Sequence, residues 1–407
     1  MNKITKIIAE EIKDSRGNPT IKVSVFVDNT FNNFSVPAGA STGVHEAHEL
    51  RDADGMGVKN AIDKVNNTIA PMLLGQDVLN QKEIDRIMIE LDGTPNKDNL
   101  GGNSMIGVSV ACAKTAAKVL NIEVFQHLRT LAEMKPSRKA PYLYMNLING
   151  GKHAQNGLAF QEYQIVPDTE DIALAIDIGV KIQNTLNGII IRDFDERSLI
   201  LGDEGGFALR TGDIKRPLLS LSEAIKQNNL EGKVRLSLDV AASSFYKDGI
   251  YTIDGKSISK EELLSIYGEL FKEFDIFSIE DPFQEEDFES FKKLKNSIEK
   301  LKIVGDDLTV TNKVLLQKAI TEDSINTMII KPNQIGTLSE TLETMKLARD
   351  NNIELIVSHR SGETDDDFIA DLAFAFNCFG LKAGSPAKIE RMLKYKRLTK
   401  IINLLLK

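Results

Sequence analysis

Lys302-Ile303-Val304-Gly305-Asp306 and, ending 25 residues later, Thr327-Met328-Ile329-Ile330-Lys331 are short apolar runs, each closed by a charged residue. Arg235–Asp239, Asp275–Glu280, Glu354–His359 and Gly380–Lys382 repeat the pattern. The ends of these six runs lie 41, 26, 25, 28 and 23 residues apart, room each time for one strand, one helix and two loops. Helical spacing fills several gaps, as in Leu338–Arg349. This alternation predicts an α/β fold, and the 267 residues from 141 to 407 suit a single α/β barrel, for which about 250 is typical. In such a barrel the C-terminal strand ends converge on the active site. The residues that close the runs are therefore the candidates for chemistry.

Upstream the chain reads differently. Thr20–Val27 alternates, with Ile21, Val23, Val25 and Val27 on one side, as a half-buried strand does. Gly57–Leu74 and Gln81–Leu91 have helical spacing, and the small, apolar Ser104–Leu120 reads as a buried helix. Strands first and helices after predict an α+β domain over residues 1–130, capping the barrel. Prolines and mixed charge in Lys135–Pro141 mark a join, so a linker is expected at 131–140 and the barrel at 141–407.

Composition narrows the function. With 42% hydrophobic and 27% charged residues, the chain can bury a large core, and disorder, collagen and coiled coil are excluded. A net charge of −9 without a basic block argues against a nucleic-acid partner. An anionic substrate stays open, because local bases or metal ions override net charge. No apolar run nears the roughly 18 residues of a membrane span, and no apolar signal core follows Met1. Cys112 and Cys378 match neither a metal spacing nor a redox pair. A cytosolic, disulfide-free protein without membrane insertion is expected. Five histidines, at scattered positions, do not make a multi-histidine zinc centre.

Asp239, Glu280 and Asp306 would meet at one barrel mouth. Carboxylates brought together repel unless a cation neutralises them, and oxygen ligands alone favour Mg²⁺. A single acid could equally cap the next helix, a reading that weakens with three in succession. Lys331 would be partly desolvated near that cation, and both effects lower its pKa toward a general base. A snorkelling or ion-paired lysine is the plainer alternative. Gly202-Asp203-Glu204-Gly205-Gly206 holds two acids in a turn that a ligand can approach, a general-acid candidate or else a solvated turn. Ser358-His359-Arg360-Ser361-Gly362-Glu363-Thr364 reads as a phosphate or carboxylate clamp, with Lys382 adding positive charge. Pro37–Gly43 is a lid or an ordinary surface loop.

From about residue 4 to residue 398 the sequence resembles the enolases. The shared markers include Asp14-Ser15-Arg16-Gly17-Asn18-Pro19-Thr20, Ala40-Ser41-Thr42-Gly43, Asn149-Gly150-Gly151-Lys152-His153-Ala154 and Gln161-Glu162. The Gly202–Gly206 turn, Ser278-Ile279-Glu280-Asp281-Pro282, Gly305-Asp306-Asp307-Leu308, Lys331–Thr337 and Ser358–Thr364 follow in order. The resemblance implies an enolase-type (β/α)8 barrel and Mg²⁺-dependent dehydration of 2-phosphoglycerate to phosphoenolpyruvate. Lys331 would be the base at C2, and Glu204 the acid for the 3-hydroxyl, assisted by Glu162. His153 and Gln161 would touch substrate, Arg360 and Ser361 would hold phosphate beside His359, and Lys382 would face the carboxylate. Asp239, Glu280 and Asp306 would ligate one Mg²⁺, and Ser41 a second that arrives with substrate. A lysine base with Mg²⁺ is the known pattern of this superfamily, so the resemblance carries it rather than the spacing.

The same resemblance implies a cytosolic homodimer, with presence at the cell surface also known in the family. A related acid-sugar dehydratase and a non-catalytic scaffold are the competing readings. The clamp argues against the first, and the intact set of Lys331, Glu204 and three acids against the second. The chain departs from the family at Ala38, where a serine is usual, at Leu209-Arg210, where Pro-Asn is usual, and at Glu10, Lys22 and the tail Lys400–Leu405. The last group predicts a dimer that relies on apolar contact, where the family is helped by ion pairs between subunits, with Ile402, Leu404 and Leu405 buried; a tail that instead covers the helices of its own barrel is the plainer alternative.

Overall fold

The computed structural model describes residues 2–39, 43–154 and 156–405. Strands β1 (Lys6–Lys13), β2 (Pro19–Val27) and β3 (Thr30–Ser35) form an antiparallel sheet in that order. Ile21, Val23, Val25 and Val27 are all buried, the inward set of the alternation. They pack on the helix Gly102–Val119, which is buried from Gly102 to Ala117. A Cβ at Gly107 would come within 2.7 Å of Val23, so a glycine is what lets helix and sheet touch. The helical stretch from Lys59 to Leu73 widens into a π turn at Lys64–Ile69. Within that turn Asn66 accepts from the Ala9 N–H and donates to its carbonyl, pairing with the sheet edge.

Residues 132–141 carry neither helix nor strand. The barrel then closes from eight strands: β4 (Tyr142–Asn149), β5 (Glu162–Pro167), β6 (Val234–Asp239), β10 (Ser278–Glu280), β11 (Lys302–Gly305), β12 (Thr327–Ile330), β13 (Glu354–Ser358) and β14 (Gly380–Lys382). The intervening β7 (Tyr246–Lys247), β8 (Ile250–Ile253) and β9 (Lys256–Ile258) make a small separate sheet. All six runs read from the sequence are barrel strands.

β5 is antiparallel to both neighbours. Among the described residues a loop with one 3-10 turn joins β4 to β5, so β5 returns as a hairpin arm instead of crossing over. Its first residue, Glu162, is thereby brought beside Asp239, the last residue of β6. A strand start joins the ring of strand ends.

The opposite end of the barrel is plugged. Tyr144, Val166, Val304, Ile329 and Ile356 fill it, under Tyr142, Phe277 and Phe379. Arg235 lies 4.4 Å from the Phe277 ring centre and Lys302 4.2 Å from that of Phe379. The N-terminal domain is tied to the barrel by buried polar contacts, with Asp85 accepting from the Ser339 N–H and hydroxyl and Lys97 pairing with Glu340. Among the described residues no single helix is long and apolar enough to cross a membrane.

Candidate active site

At the open mouth, Lys382 at the end of β14 is buried among three acids. Its ammonium lies 2.8 Å from Asp239, 2.9 Å from Glu280 and 3.1 Å from Glu162. The strand register sets this up, since Asp239 and Glu280 are paired neighbours on β6 and β10. Burial, and then the charge of Asp239, push Glu280 well above the usual carboxylate range. Burial would lower Lys382, but the surrounding carboxylates hold it well above its ordinary value.

Asp306 pairs with Lys331 and accepts from Gln334 at 3.0 Å. The loop that carries it is strained, because Val310 and Thr311 are β-branched residues with φ of 39° and 55°. Thr311 uses the bend, accepting from the Lys331 N–H and donating to Gln334, both at 2.9 Å. Asp281 accepts from the backbone N–H groups of Asp306 and Asp307. Burial, then Asp306, push Asp307 up to about 8.

The glycine turn brings Glu204 against β4. A Cβ at Gly206 would lie 2.6 Å from Asn149 Oδ1, so only glycine fits there, and the Gly206 N–H donates to that same oxygen. Glu204 accepts from Asn146 at 3.0 Å. It lies 3.3 Å from His359 Nε2 and 3.6 Å from His153 Nδ1, and His153 is 3.7 Å from Glu162. Burial alone would raise Glu204, but its histidine neighbours, with Arg391 behind them, hold it well below the usual range. Glu162 goes the other way, raised by burial and then by the Glu204 charge. The two neighbouring carboxyls are thus pushed in opposite directions, Glu162 toward holding a proton and Glu204 toward giving it up.

Arg360 and Ser361 are buried just past β13, with Arg360 ion-paired to Glu46 and bonded to Asn333. His153, Gln161, Glu162, Glu204, Asp239, Asp306, Lys331, His359, Arg360, Ser361 and Lys382 all line one cavity, and Glu280 lies under the Lys382 ammonium. Ser41 lies outside the described residues.

One sequence expectation is corrected. Lys331 was expected below its ordinary pKa. Burial does pull it down, but the Asp306 carboxylate overrides this and it stands at about 12. Lys382, expected to face a substrate carboxylate, lines the cavity beside Asp239, Glu280 and Glu162. Asp239, Glu280 and Asp306 share the mouth, the first two beside Lys382 and the third beside Lys331. Among the described residues the groups that gather within 4.8 Å are Asp281, Asp306 and Asp307, and His153, Glu162 and Glu204. The cause of the Lys331 correction is that crowded buried carboxylates recruit the nearest cations.

Sequence reasoning missed Arg391, Glu46, Gln334 and Asn146. Asp281 and Asp307 were within reach, since each directly follows a predicted ligand.

An eight-stranded barrel whose mouth holds buried lysines, paired carboxyls and a guanidinium–hydroxyl clamp defines an acid–base enzyme for an anionic substrate. The family models "Enolase, N-terminal domain" and "Enolase, C-terminal TIM barrel domain" match residues 4–128 and 137–406. The chain is 46% identical to the enolase of Methanocaldococcus jannaschii over 404 residues, 98% of this chain and 94% of the relative. It is 45% identical to that of Methanosarcina barkeri and 43% to that of Corynebacterium kroppenstedtii, covering 98% of this chain each time and 94% and 95% of the relatives. The chain belongs to the enolase family. Its activity is that of a phosphopyruvate hydratase, a lyase.

Proposed function

We propose that Lys331 removes the C2 proton of 2-phosphoglycerate and that the Glu162–Glu204 pair delivers a proton to the departing 3-hydroxyl. The observation that carries this reading is that Glu162 and Glu204, pushed in opposite directions, line the cavity that Lys331 also lines. A proton beside a carboxylate is very weakly acidic, so charge must be stabilised where it builds. For Lys331 to accept that proton it must first give up its own, so its pairing with Asp306 has to loosen. Glu204 faces the leaving group with Glu162 as its proton reserve, and His153 lies between them. Arg360 and Ser361 hold the phosphate, Gln161 and His153 touch substrate, and His359 steadies Glu204.

The donor chemistry fits Mg²⁺. Asp239, Glu280 and Asp306 are buried oxygen donors, and the raised Glu280 reports surplus negative charge that a dication would relieve. Bound there, Mg²⁺ supplies charge for the developing enediolate. We take the family's pair of ions as the expectation here, Ser41 being the protein group for the second, and the family's homodimer as the assembly. Cys112 and Cys378 are both buried free thiols, which suits the cytosol.

Solvent deuterium separates the two roles. Glu204→Gln should still exchange the C2 proton of recovered 2-phosphoglycerate while forming no phosphoenolpyruvate. Lys331→Ala should lose both, and normal exchange in that variant would refute the assignment.

A further inference from the structure

Glu46 belongs to the N-terminal domain, yet its carboxylate sits on the guanidinium of Arg360. Nη1 of Arg360 donates to Oε2 at 2.9 Å, and Nη2 donates to Oε2 and Oε1 at 3.0 and 3.2 Å. Both side chains are buried, 8% and 3% exposed, so water does not loosen the pair. The same carboxylate accepts from Gln334 at 3.2 Å and from the Gly43 N–H at 3.1 Å. Gln334 also donates to Asp306 at 3.0 Å, and the Ala47 N–H donates to the Gln334 carbonyl at 2.7 Å.

This carboxylate is held on several sides. A loosely seated acid could be displaced by an incoming phosphate, but Glu46 is fixed by donors from its own loop and from the segment after β12. A forked pair sets the plane of a guanidinium, and that plane decides where its N–H groups point. A misplacement of about 1 Å at such a group can cost a hundredfold in rate or binding.

We propose that Glu46 is a positioning residue for the reaction, holding the plane in which Arg360 meets the phosphate of the substrate and linking it through Gln334 to Asp306. The inference rests on the reading of Arg360 as the phosphate anchor.

The test uses the full-length enzyme with Mg²⁺ and inorganic phosphate as a competitive inhibitor. Glu46→Gln keeps the size and removes the charge, Glu46→Asp keeps the charge and shortens the reach, and thermal melts identify any variant that fails to fold. In Glu46→Gln, KM for 2-phosphoglycerate and the phosphate inhibition constant should rise together by about tenfold, with kcat changed much less. Glu46→Asp should recover part of the loss. Unchanged or tighter phosphate inhibition in Glu46→Gln overturns the proposal, and tighter inhibition would make Glu46 a competitor of the anion. Arg360→Lys separates the two claims. Weakened inhibition there with none in Glu46→Gln sinks the positioning role alone, whereas unaltered inhibition in Arg360→Lys sinks the phosphate reading and the proposal with it.

Discussion

Arg391 presents Nη1 to Nδ1 of His359 at 2.5 Å. A guanidinium only donates, so His359 must keep Nδ1 bare and carry its proton on Nε2. Burial drives that imidazole down to about 3, so it is neutral, with Nε2 3.3 Å from the Glu204 carboxylate. The same guanidinium donates to the carbonyls of Arg360, Ser361 and Asp203. One side chain of the last helix, Ile389–Leu405, thus sets the acid turn and the anion clamp together.

Arg391→Lys keeps a positive charge and loses the fork. A single ammonium cannot satisfy four acceptors in two directions, so His359 should lose its fixed tautomer and activity should fall about a hundredfold. Nitrogen-15 shifts of His359 check the premise directly. A protonated Nδ1 in the unaltered enzyme would refute it.

The strand ends were legible because buried parallel strands read as continuous apolar runs, and a charged residue closing one stands out. β4 was not, because Asn146 and Asn149 interrupt its apolar pattern to serve Glu204 and the Gly206 N–H. Glu162 opens its strand, so reasoning from strand ends could not find it, and the resemblance did. The Lys331 pKa depends on Asp306, and no sequence spacing says whether that acid pairs with a lysine or with something else. Arg391 lies in a helix of mixed charge, where nothing in the sequence distinguishes the buried Arg391, Lys394 and Arg397 from the exposed Lys396 and Lys400.

Lys382→Met tests what balances the buried acids. Removing the one ammonium shared by Asp239, Glu280 and Glu162 leaves uncompensated charge, which typically costs about 3–5 kcal/mol. Urea melts with chelator should report that loss. Added Mg²⁺ should raise stability by about 2.7 kcal/mol at a hundredfold excess over its dissociation constant, and by more in the variant. Chelation should abolish activity in the unaltered enzyme and Mg²⁺ should restore it. Full activity without divalent metal would refute the ligand set.

Asp307, at about 8, predicts a pH signature in chelated protein. Its unfolded value is about 3.9. Below that, both states hold the proton. Between about 4 and 8 the folded state keeps a proton that the unfolded chain has released, so this contribution to stability falls as pH rises, by up to about 1.4 kcal/mol per unit. Asp307→Asn removes the contribution, so its stability should fall less steeply from pH 5 to pH 8 in urea melts. Parallel slopes would mean that Asp307 is ionised throughout.

The last prediction concerns assembly. The altered residues Glu10 and Lys22 do not leave unmatched charge, because they face each other across β1 and β2 and pair at 3.3 Å within the chain. That pair is exposed and contributes little to stability. The tail divides its apolar residues. Ile401 is buried and Ile402 packs on the core, whereas Leu404 and Leu405 stay 39% and 47% exposed at the end of the last helix. Half of the tail therefore covers its own barrel, and the other half offers apolar surface to a partner. A dimer held by these leucines would resist salt, because apolar burial is screened little by it, unlike exposed charge pairs. Sedimentation should give a dimer at both low and high salt, and Leu404→Asp with Leu405→Asp should yield a folded monomer with an unshifted ion-pair network. A dimer that dissociates as salt rises, or that survives the double substitution, would overturn this account.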